Sequence, residues 1–332
     1  MDRDALLDAC RRVDAAVRAR PEYAHTSHLH VRVDGAVAFD AHYRGPFVAD
    51  VFSVTKAVVA TLVGIAARRG LVRDLDEPLD AVLDLAGTPS AGQSWRDLLT
   101  MTRGSRVDGP WDIDAVMALP GGRLRRVAEA PRVHAPGRVF AYDNGGYLLL
   151  GAALAEVAGE PLSVFAAREL FGPLGIREWR WLRSPEGVDV GAAHLRLRAW
   201  DLGRLAGLWM DDGGGLVDPG FAAAMVTAHS AGGPPEEHPY GFGLWIDPDG
   251  YFAGGWAGQH VLCLPAARAV VVTTGDPRFD PGPPPSDALP AGWRPAVELV
   301  REHVVPVLLG GQAASGGSAP ARRSASSATS AS

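Results

Sequence analysis

Phe52-Ser53-Val54-Thr55-Lys56-Ala57-Val58-Val59-Ala60 opens an apolar stretch that runs to Arg68-Arg69 and stops at Gly70. Its composition predicts a helix, with Gly70 just past the end, where a left-handed backbone favours glycine. Ser53 and Lys56, three residues apart, then project from one face about one turn apart. An amine so placed can take the hydroxyl proton and make a usable nucleophile. Ser53 falls in the first turn, where free backbone N–H groups and the positive end of the helix dipole favour a developing oxyanion. Ser-x-x-Lys alone arises about once by chance in a chain of this length. The spacing therefore needs a partner, and Tyr142-Asp143-Asn144 supplies one.

Outward from this helix, both ends of the chain read as sheet. Leu29–Val33 and Ala36–Phe39 flank Asp34-Gly35, a strong short-range hairpin signal. Near the other end, Tyr240–Ile246 predicts a strand, Pro248-Asp249-Gly250 a turn, Tyr251–Leu264 a second strand and Ala269–Thr274 a third. Short connections make such strands antiparallel neighbours. Residues 5–19 carry apolar positions at helical spacing, and a closing helix is expected over 293–309. Between the sheet parts, residues 73–200 read as helix and loop, with periodic segments near 94–101, 112–119, 145–158 and 161–171, followed by another helix over 201–210. The expected fold is α+β: an antiparallel sheet flanked by helices, built from both termini, with a helical insertion. One domain is expected over 1–309, its sheet part at about 20–72 and 200–309, its helical part at about 73–200. A Gly/Ala/Ser tail over 310–332 is expected to be disordered. A cleft between the two parts is the natural place for a site.

The composition, 47% hydrophobic and 21% charged over 332 residues, is that of a soluble globular protein with a sizeable core. A net charge of −6 and the absence of a basic run argue against nucleic acid as a partner. Cys10 and Cys263 sit in segments that read as element interiors, so two buried free thiols are expected. The charged N-terminus does not read as a signal peptide and no stretch approaches a membrane span, so no membrane partner and a cytoplasmic location are expected.

The order Ser53-x-x-Lys56, then Pro136-Gly137-x-x-Phe140-x-Tyr142-x-Asn144, resembles the serine β-lactamase and penicillin-recognising superfamily. It is most similar to class C-type members, family VIII carboxylesterases and nylon-oligomer hydrolases among them. Asp97-Leu98-Leu99-Thr100-Met101-Thr102-Arg103-Gly104 is similar to the family's Leu-Leu-x-His-x-Ser/Thr-x-Gly segment, with Met101 in the histidine position. The resemblance covers about residues 20–308. It implies that Ser53 is the acyl-accepting nucleophile, that Lys56 and Tyr142 share the base work, and that Asn144 orients Lys56 and the substrate. Read without it, Tyr142 is a core tyrosine and Asn144 a turn residue.

The family's third element is a basic residue followed by Ser or Thr and Gly on a strand lining the cleft. Here Trp256-Ala257-Gly258 aligns with it, similar to the Trp-Gly-Gly variant of family VIII carboxylesterases. The resemblance then implies an oxyanion hole from the backbone N–H groups of Ser53 and Gln259. Without the basic residue, β-lactam or D-Ala-D-Ala chemistry loses its carboxylate clamp, and small neutral esters or amides fit better; Arg278 reads as a loop arginine. His28 and His30 share a strand face, but no third ligand is identifiable, so neither a metal nor any other cofactor is expected. His260 is expected to point away from Gln259 on its strand, and Trp111, Trp179, Trp181, Trp245 and Trp256 are candidates for an aromatic pocket wall. The expectation is a serine hydrolase that forms an acyl-enzyme on a small-molecule ester or amide. The alternatives are a β-lactamase or D-stereospecific peptidase, an acyltransferase, and a silent ligand-binding homologue.

Overall fold

The computed structural model describes residues 2–276, 289 and 292–310. Arg278 and the tail beyond Gly310 lie outside them. Eleven strands occur in chain order: β1 (Thr26–Val33), β2 (Ala36–His42), β3 (Ala49–Asp50), β4 (Arg180–Trp181), β5 (Leu195–Leu197), β6 (Ser230–Gly233), β7 (His238–Tyr240), β8 (Trp245–Asp247), β9 (Gly250–Gly255), β10 (Gln259–Leu264) and β11 (Ala269–Gly275). Eight of them form one sheet in the order β2-β1-β11-β10-β9-β8-β7-β6. All the pairings are antiparallel, and β1 lies between its hairpin partner β2 and the late strand β11. The sheet is therefore built from both ends of the chain. Asp34 and Gly35 both take positive φ, 49° and 76°, the backbone that matches the twist of a two-residue hairpin.

The N-terminal helix Arg3–Ala19 buries Leu6, Ala9, Cys10, Val13 and Val17, and packs against the C-terminal helix Val297–His303. Cys10 and Cys263 are buried and unpaired. The helix Thr55–Arg68 is buried along all but its last turns and ends, as its sequence predicts, before a left-handed Gly70. It runs beside the helix Asn144–Ala158, which is buried over Gly145–Leu154. Residues 73–200 hold that helix and several short ones, together with β4 and β5, which join β3 in a three-stranded sheet. These strands of two and three residues are too short to show an alternating pattern.

One expected strand divides in two. The stretch 251–264 forms β9 and β10, joined by a tight turn over Trp256–Gly258 in which Ala257 and Gly258 have φ of 59° and 88°. Gln259 pairs with Gly255 across the hairpin. Trp256-Ala257-Gly258 thus forms the bend that returns the chain rather than lying along a strand. No single described helix is long and apolar enough to cross a membrane.

Candidate active site

Ser53 sits in a 3-10 turn, Phe52–Val54, that leads directly into Thr55–Arg68. One turn later Lys56 is fully buried, and its Nζ donates to Ser53 Oγ at 2.9 Å, Asn144 Oδ1 at 2.7 Å and the Ala192 carbonyl at 2.8 Å. Three acceptors match the three donors of an ammonium group. Burial in turn favours the neutral amine and lowers the Lys56 pKa to about 7, with the nearby Asp143 carboxylate acting in the opposite direction. The amine is thus balanced between its two protonation states near neutrality. Lys56 is also the only lysine in the chain.

Tyr142 lies beside this pair, with Lys56 Nζ 4.9 Å from its ring centre and its ring stacked on Trp245. Burial pushes the Tyr142 hydroxyl above its ordinary value, and a hydrogen bond with Ser53 opposes that shift. The next two residues start a helix: Asp143 caps Asn144–Ala158 by accepting from Gly146 N at 2.9 Å. Asp143 is also held by Arg103, and both side chains are almost fully buried. Arg103 belongs to the 97–104 segment, whose Met101 carbonyl accepts from Ala141 N at 3.0 Å. That segment therefore fixes both the backbone before Tyr142 and the charge after it.

Ser53, Tyr142 and Asn144 open onto a cavity of about 400 Å³. Its walls include Ile113 and Met117 from the helical part, Trp245 from β8, and Gly254, Gly255 and Trp256. The β8–β9 ladder reaches only from Asp247↔Gly250 to Trp245↔Phe252, so the end of β9 beyond it faces the cavity. Gly255 lets that strand end approach the Ser53 turn, because a Cβ there would lie 2.6 Å from the Val51 carbonyl. Gln259 is fully buried, with its side-chain amide donating to the Gly275 carbonyl at 2.8 Å. It is not among the residues that line the cavity, where the end of β9 presents Gly254 and Gly255, followed by Trp256. Ala257 is buried and Gly258 packs toward Trp293, which places both behind the cavity wall.

Several residues at the cavity were not legible beforehand. His194 lines it with a positive φ of 64°, and its Nδ1 bonds Asp50 Oδ2 at 2.8 Å. The other Asp50 oxygen accepts from Phe52 N at 2.8 Å. Asp114 and Glu236 add acidic groups to the wall. Neither the lone histidine in Ala192-Ala193-His194-Leu195 nor the Ala192 carbonyl carries a sequence signal. Of the five candidate tryptophans, Trp245 and Trp256 line the cavity; Trp179 packs on Phe171 and Trp181 donates to the Val190 carbonyl. His28 stacks on His42 and His30 bonds Asp40, and no group of three or more metal-binding side chains occurs among the described residues. His260 is buried near Glu236, outside the cavity lining.

The fold is shared with solved structures of several activities. A Bacillus anthracis protein named as a 6-aminohexanoate-dimer hydrolase matches with a TM-score of 0.71 and 18% identity, over 86% of this chain and 79% of that one. EstCE1, a hydrolase with promiscuous acyltransferase activity, matches with a TM-score of 0.72 and 18% identity, over 91% and 99%. A penicillin-binding protein from Bacillus halodurans matches with a TM-score of 0.65 and 18% identity, over 79% and 94%. At such identities the likeness is one of fold. No curated protein matches the chain. The family model described as Beta-lactamase matches residues 13–296, and over that span the chain belongs to the Beta-lactamase family.

Proposed function

We propose that the protein is a serine hydrolase that forms an acyl-enzyme at Ser53 on a small ester or amide. The observation that carries this reading is the 2.9 Å contact between Ser53 Oγ and the Nζ of a fully buried lysine whose pKa lies near 7. In its neutral form Lys56 accepts the Ser53 proton as Oγ attacks the carbonyl, while Asn144 and the Ala192 carbonyl hold the amine in place. Tyr142 passes a proton on to the leaving alcohol or amine. The backbone N–H groups of Ser53 and Trp256 serve as the oxyanion donors, with Trp256 taking the place of Gln259. Among the described residues the cavity brings Ile113, Met117, Trp245 and Trp256 to its walls, and no arginine. This apolar and aromatic lining supports a neutral acyl compound.

The test is labelling by a fluorophosphonate probe together with hydrolysis of p-nitrophenyl acetate and butyrate, on wild type and Ser53→Ala. The variant is expected to lose labelling and at least about 10³-fold in turnover, as removal of a serine nucleophile does. Turnover within tenfold of wild type would sink the assignment. Nitrocefin turnover exceeding ester turnover would instead favour a β-lactamase.

A further inference from the structure

We propose that His194, oriented by Asp50, is the base that activates water to release the acyl group from Ser53; this rests on the acyl-enzyme reading above. Lys56 is poorly placed for that step. It is fully buried, and its Nζ already meets Ser53, Asn144 and the Ala192 carbonyl, so a water entering from the cavity cannot reach it directly. Tyr142, its hydroxyl shifted upward by burial, does not readily become a base.

His194 has the missing properties. It lines the same cavity as Ser53, its side chain is 35% exposed, and its Nδ1 lies 2.8 Å from Asp50 Oδ2. That bond fixes Nδ1–H as the donor and leaves the lone pair on Nε2, on the far side of the ring. Among the described residues no hydrogen bond occupies Nε2. The same carboxylate accepts from Phe52 N, so Asp50 ties the imidazole to the residue next to the nucleophile. The arrangement is maintained against backbone preference: His194 and Phe52 have φ of 64° and 45°, a left-handed region that a residue with a Cβ ordinarily avoids. Strain at two residues joined by one carboxylate, at the mouth of a cavity, is the pattern of a functional constraint.

In the step, the water oxygen bonds to the acyl carbon and its proton moves to Nε2. The tetrahedral oxyanion then collapses, the bond from carbon to Ser53 Oγ breaks, and Oγ takes the proton held on the imidazolium Nε2, which returns His194 to its neutral form. The net change is acyl-enzyme plus water to carboxylic acid plus free serine.

The experiment follows the acetyl-enzyme by quenched-flow intact mass after mixing with p-nitrophenyl acetate, for wild type, His194→Gly, His194→Asn and Ser53→Ala. Glycine suits a φ of 64°, and asparagine tolerates it while retaining a donor for Asp50. Both His194 variants are expected to acylate within about threefold of wild type and to lose about 10²-fold in deacylation. An acetyl adduct should therefore accumulate on Ser53, and added imidazole should restore at least tenfold in His194→Gly alone. Wild-type deacylation in either variant, or acylation slowed as much as deacylation, would overturn the assignment. Absence of any adduct on wild-type protein, under fluorophosphonate as well, would overturn the acyl-enzyme reading itself.

Discussion

A lysine amine poised near neutrality makes the pH response of this site specific. Burial lowers Lys56 from its ordinary 10.5 to about 7. In the proposed mechanism the neutral amine is the base, so kcat/KM for an ester should rise as pH increases through about 7 and then level off, because that parameter reports the free enzyme. A profile flat from pH 5.5 to 8.5 would separate Lys56 from the rate. Folding carries the matching signature. Between about 7 and 10.5 the unfolded chain holds a proton on Lys56 that the folded chain has released, so this group makes the protein more stable as pH rises across that window. Ser53, Lys56, Tyr142 and Asn144 were legible because helical spacing and a short motif place them together without reference to the rest of the fold. Asp50 and His194 were not, because their pairing joins residues 144 positions apart.

At the level of elements, the end of β9 is where the sheet meets the nucleophile, and its two glycines make different demands. A Cβ on Gly255 would lie 2.6 Å from the Val51 carbonyl, a backbone atom just before the Ser53 turn that cannot swing aside. A Cβ on Gly254 would lie 2.7 Å from Glu236 Oε1, the far end of a side chain that can. Gly255→Ala is therefore expected to cost about 1–3 kcal/mol and to lower kcat by displacing the oxyanion donors, whereas Gly254→Ala should stay within about 0.5 kcal/mol of wild type. Chemical denaturation and p-nitrophenyl acetate kinetics on both check the contrast; equal effects would remove the backbone explanation. The turn between β9 and β10 was hidden in the sequence for a physical reason. Trp-Ala-Gly carries none of the Asn-Gly or Asp-Gly chemistry that marks a hairpin, and the left-handed position falls on Ala257, a residue that ordinarily avoids it.

At the scale of the whole molecule, the sheet closes because β1, from the start of the chain, lies beside β11, from near its end. That architecture was readable from the hairpin at Asp34-Gly35 and the late run of alternating strands. The path of residues 73–200 was not, since β5 gains its meaning only by pairing with β3, and β4 by pairing with β5. Burial of the chain's only lysine has a consequence for handling the protein. Thirty-one of the 32 lysine and arginine side chains are guanidinium groups, so the folded surface offers amine-directed reagents no lysine side chain. An N-hydroxysuccinimide ester should add one further group on unfolding, counted by intact mass; rapid addition of that group to native protein would show that solvent reaches Lys56. That added group would thus count unfolded molecules one by one.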